Sequence, residues 1–163
     1  MVRFVAVVPH ANAKAWPGAA GFALITVATP GCTVAGRPAP HALHLSFDTL
    51  AGELEVASLR LPQVAPALPF TIDHARNLAT FLSALHGERE PIGLLVCESE
   101  GYVRSVTVAR WAAQQLSCPL CEPALAAAVT SCVMMDSVLK QLPRPAREVV
   151  RLMPQAADWA VQT

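Results

Sequence analysis

The chain has 163 residues, 53% of them hydrophobic and 15% charged, with twelve basic against twelve acidic side chains. That is enough apolar material for one sizeable core, and it excludes global disorder. The zero net charge leaves no whole-chain basic footprint for nucleic acid, and no apolar run reaches the ~18 residues of a membrane span.

The opening Met1 to Pro9 is too short and too soon broken to read as a signal peptide. Its apolar, β-branched residues 2–8 predict a strand instead. The five cysteines, Cys32, Cys97, Cys118, Cys121 and Cys132, are odd in number and irregularly spaced. That pattern implies reduced thiols and a cytoplasmic setting. Arg outnumbers Lys ten to two and Ala occurs 29 times, which reads as the habit of a GC-rich genome.

A second strand is predicted over Phe22 to Ala28, stopped by the turn signal Thr29-Pro30-Gly31. Gly36, Pro38 and Pro40 make the next stretch a loop. Residues 42–47 alternate apolar and polar, a third strand ending at Asp48. Pro62, Pro66 and Pro69 forbid long regular elements over 49–70. Thr71 then opens the clearest helix, with Asp73 in its first turn and Gly87 at its end. Ala75, Leu78, Ala79, Leu82 and Leu85 give that helix one apolar face. The continuous apolar run Ile92 to Cys97 predicts a central parallel strand buried on both faces. A short loop holding Gly101 leads into a helix from about Arg104 to Leu116, with Val108, Ala109, Ala112 and Leu116 facing inward. Helices are also predicted over 124–129, over 133–142, and from Pro145 onward. The order of elements implies an α/β domain with a small, largely parallel sheet of about four strands, one helix on one face and several on the other.

The strand, loop and helix at 92–116 form a geometry that suits an anion. Backbone N–H groups converge at the helix N-terminus, where the dipole adds partial positive charge. An Arg at the loop end can fork two hydrogen bonds onto a phosphate. A Cys at the loop start would become a low-pKa nucleophile. Here the segment reads Val96-Cys97-Glu98-Ser99-Glu100-Gly101-Tyr102-Val103-Arg104-Ser105.

This segment resembles the signature of the cysteine-based protein tyrosine and dual-specificity phosphatases, in which His-Cys, five residues and Arg-Ser/Thr lie between a buried strand and a helix. The resemblance extends over about residues 2–142. Residues 22–31 look like the early strand and turn of small bacterial members. Leu45-Ser46-Phe47-Asp48 looks like the strand end carrying the general acid. Residues 70–81 look like the helix before the signature strand, and residues 133–142 sit where a later helix lies. The resemblance implies a phosphatase-like fold over one domain, 1–163, with 143–163 as a C-terminal helical extension.

Six residues separate Cys97 from Arg104, where the family has five. Two placements are open. Without a gap, Gly101 and Arg104 fall on the family's Gly and Arg, Cys97 on its His, and Glu98 on its nucleophile. With the loop lengthened by one residue, Cys97 remains the nucleophile. The first placement implies a domain without catalysis, a pseudophosphatase acting as a binding or regulatory module for a protein partner. Its phosphate-type anion loop is then Glu98, Gly101, Arg104 and Ser105, with Glu98 occupying the anion site and holding Arg104. The second implies an active phosphatase, with Cys97 as nucleophile, Asp48 as general acid, Arg104 as phosphate fork and Ser105 assisting the thiolate. A third reading is an adaptor that binds its partner through the C-terminal helices, 122–163.

Other features point to plainer roles. Cys118 and Cys121 form a lone Cys-x-x-Cys without a second half, and they follow a helix rather than a strand, so a turn connecting helices is expected. No metal ligand set and no cofactor motif is recognised. Lys140, Arg144, Arg147 and Arg151 would form a solvated basic stripe. The five histidines share no ligand spacing on one helix face.

Overall fold

The computed structural model describes residues 1–9, 21–32, 41–48, 68–99, 101–121, 129 and 132–142. Its strands are β1 (Val2–Val7), β2 (Phe22–Ala28), β3 (His41–Ser46), β4 (Ile92–Glu98) and β5 (Leu120–Cys121). Its helices are α1 (Ile72–His86), α2 (Val103–Leu116) and α3 (Val133–Leu139). The five strands lie in the order β3-β2-β4-β1-β5, and every pairing is parallel. Strand β4, apolar at every position before Glu98, takes the centre, and all seven of its residues are buried. An uninterrupted apolar run suits such a position because neither face meets water.

The period-2 alternation of strand side chains divides the sheet into two faces. Val5, Val7, Ala23, Ile25, Val27, Leu45, Leu94 and Val96 belong to the main core. Ala75, Leu78, Leu82 and Leu85 of α1 join them, as do Val106, Val108, Ala109 and Ala112 of α2 and Met135 and Leu139 of α3. The opposite face carries a smaller cluster of Leu24, Leu95 and Cys97, with Phe4, Ala6, Val8 and Phe22 packed against it. At the start of α1, Nδ1 of His74 accepts from the backbone N–H of Thr71 at 3.1 Å, satisfying a donor at the helix entrance.

Two expectations change. Among the described residues the sheet has five strands, where about four were expected. The addition, β5, pairs Leu120 with Val5 and Cys121 with Ala6; two residues are too few to show any periodicity in a sequence. The expected helices on both faces are not seen among the described residues, where all three helices pack against the main-core face. The helices predicted over 124–129 and from Pro145, the extension 143–163 and the stripe beyond Lys140 fall outside the described residues, apart from Val129. No helix among the described residues is long and apolar enough to cross a membrane.

On the smaller face, Phe4 and Phe22 meet edge to face, with ring centroids 6.3 Å apart. Gly93 lies beneath both rings. A Cβ there would stand 2.7 Å from Cζ of Phe4 and 2.9 Å from the Phe22 ring. Gly93→Ala is therefore expected to destabilise the fold by about 1–3 kcal/mol, the usual range for overpacking. A denaturant midpoint unchanged from wild type would show that the rings yield freely.

Candidate functional site

The carboxyl ends of parallel strands are where open α/β sheets place their ligands, and three such ends converge here on one side chain. Arg104 is 3% exposed. Its Nε donates to Oε1 of Glu98, the last residue of β4, at 2.5 Å. One terminal nitrogen donates to the carbonyl of Phe47, just after β3, at 2.8 Å. The other donates to Oγ1 of Thr29, just after β2, at 3.3 Å. The guanidinium also lies over the Phe47 ring, 5.8 Å from its centroid, within the range of a cation–π contact.

Glu98 completes the arrangement from the other side. It shares strand parity with Leu94 and Val96, so it points toward the helices. Its Oε2 accepts from the backbone N–H groups of both Arg104 and Ser105, each at 3.0 Å. These are the second and third residues of α2, whose N–H groups have no partner within the helix. An N-cap side chain usually satisfies them, but Tyr102 at that position makes no such bond. The carboxylate of Glu98 does so from six residues upstream. Gly101, at φ +79°, allows the chain to turn from strand into helix in so short a loop.

Glu98 is itself 6% exposed, so both members of the ion pair are desolvated. A buried pair is tolerated when every donor and acceptor finds a partner. Glu98 accepts three hydrogen bonds and Arg104 donates four, counting its backbone N–H. The loop thus has the donors of an oxyanion site, and an internal carboxylate occupies them. An external anion would have to displace Glu98 and overcome its charge.

Cys97 is fully buried and lies on the opposite face of the sheet, clustered with Leu24 and Leu95. Burial, and secondarily the neighbouring Glu98 carboxylate, push its thiol up to about 11. The thiol therefore stays protonated and unreactive at neutral pH. Alkylation with iodoacetamide followed by peptide mapping is expected to leave Cys97 unmodified in the native protein up to about pH 9, and to modify it once the chain is unfolded. Modification of native Cys97 near pH 7 would place an activated thiolate there. The folded thiol keeps its proton while the unfolded one titrates near ~8.5, so this group opposes folding increasingly as pH rises from there toward 11.

Ser105 stands in the first turn of α2, and its hydroxyl donates to the Tyr102 carbonyl at 3.1 Å, while Cys97 packs on the other face of the sheet. Asp48 directly follows Phe47, and its backbone N–H donates to the Leu68 carbonyl at 2.6 Å. With Phe47, Phe70, Cys132, Met134 and Met135 it lines a small cleft beside the Arg104 cluster. Glu100 falls outside the described residues. Cys118 packs against the main core, whereas Cys121 is exposed and in register with Ala6 of the smaller face. All five cysteines are free, and among the described residues no group of three or more His, Cys, Asp or Glu side chains could hold a metal ion.

Sequence reasoning missed Thr29 and the Phe47 carbonyl as partners of Arg104. Neither leaves a signal, because a backbone carbonyl is the same in every residue and Thr29 stands 75 positions from Arg104. Comparison with family models, with curated proteins and with solved structures finds no match for this chain.

Proposed function

We propose that this chain is a protein tyrosine phosphatase-like domain that has lost catalysis and acts as a binding or regulatory module. The observation that carries the reading is the carboxylate of Glu98, which takes the backbone N–H groups of Arg104 and Ser105 together with the Arg104 guanidinium. Those are the donors that a phosphoryl group would need at a helix N-terminus. A carboxylate there fills the site and repels a second anion. The position of Cys97, buried on the far face with a raised pKa, supports the gapless placement of the loop, in which Glu98 stands where the family has its nucleophile. In this role the domain binds a protein partner, in a cytoplasmic compartment that keeps its thiols reduced.

The test is the wild-type protein with phosphate or vanadate. A ligand that binds only the native state raises the melting temperature in proportion to the logarithm of its concentration over Kd. No rise is expected at millimolar anion, and no turnover of 4-nitrophenyl phosphate at neutral pH. A clear rise, or hydrolysis that disappears in Cys97→Ser, would overturn the proposal in favour of an active phosphatase.

A further inference from the structure

We draw no further inference here: the strongest candidate, the rim of exposed apolar side chains Leu68, Tyr102, Val103, Val133 and Met134 at the carboxyl edge of the sheet, carries nothing because nothing in the structure shows what covers it.

Discussion

Glu98→Ala is expected to destabilise the protein by about 3–5 kcal/mol, the range for removing one partner of a buried ion pair. Three donors lose their acceptor at once: two backbone N–H groups of α2 and Nε of Arg104. The guanidinium, 3% exposed, is left as a desolvated cation beside the Phe47 carbonyl and ring and the Thr29 hydroxyl. The sequence alone suggests a smaller loss, about 1–3 kcal/mol, for leaving one buried charged partner unpaired. The larger figure follows because both members of the pair are almost wholly out of water and one carboxylate serves three donors. The same substitution vacates the space in front of the donors, so sulfate or phosphate should now bind. Added anion should restore part of the lost melting temperature in Glu98→Ala while leaving wild type unmoved. Glu98→Gln separates the two effects. It keeps the side-chain volume and an acceptor oxygen, so it should be destabilised without gaining anion affinity. A Glu98→Ala protein as stable as wild type that shows no anion-dependent shift would mean that Glu98 is not what fills this loop.

The central part of the fold was legible because it rests on local signals. Ile92 to Cys97 is an unbroken apolar run, and only a strand buried on both sides explains it at that length. Thr71, Asp73 and Gly87 bracket α1, and its apolar face recurs at helical spacing. Both are consequences of burial, which composition and periodicity record directly. The anion loop was legible in part. Strand alternation says that residues 97 and 98 point to opposite faces, so the question was only which of them faces the helix. The family resemblance could not answer it, because one extra residue admits two placements. Glu98 itself supplies the physical answer. A helix N-terminus without an N-cap acceptor needs one from elsewhere, and a carboxylate on the helix side of β4 can reach it, whereas Cys97 on the apolar side cannot. What sequence could not reveal is the long-range half of the cluster. The Phe47 carbonyl and Thr29 join Arg104 only because β2, β3 and β4 are adjacent and parallel, and adjacency in a sheet is not written in any single segment. The fifth strand was illegible for a different reason: its two residues pair with β1 through backbone groups that carry no side-chain signature.

Adjacent positions on β4 should therefore impose opposite chemistry on the same functional group. Cys97 lies among Leu24 and Leu95, and its thiol is pushed up to about 11. A thiol introduced by Glu98→Cys would instead face two backbone N–H groups at a helix N-terminus and the Arg104 guanidinium. Each of these favours the thiolate. Sγ stops two bonds short of the Glu98 oxygens, so it does not replace all three hydrogen bonds. The sign survives the gap, because the guanidinium and the helix dipole act over several ångströms in a site with little water. The introduced thiol is expected to titrate within the range of about 3.5–7.5 seen at helix N-termini and beside cations. That lies at least three units below Cys97, taking its value of about 11. The measurement is alkylation rate against pH, followed peptide by peptide, so that the exposed Cys32 and Cys121 are scored separately. In Glu98→Cys the new thiol should react at pH 6–7, faster than Cys32, and phosphate should protect it by occupying the vacated cradle. Adding Arg104→Met should raise its apparent pKa, since the largest single positive charge is then gone. If the introduced thiol titrates at or above ~8.5 and phosphate does not slow its labelling, the donors at 104 and 105 do not form an anion site. Glu98 would then be a structural cap alone, and the phosphatase-like reading of the loop would lose its physical basis.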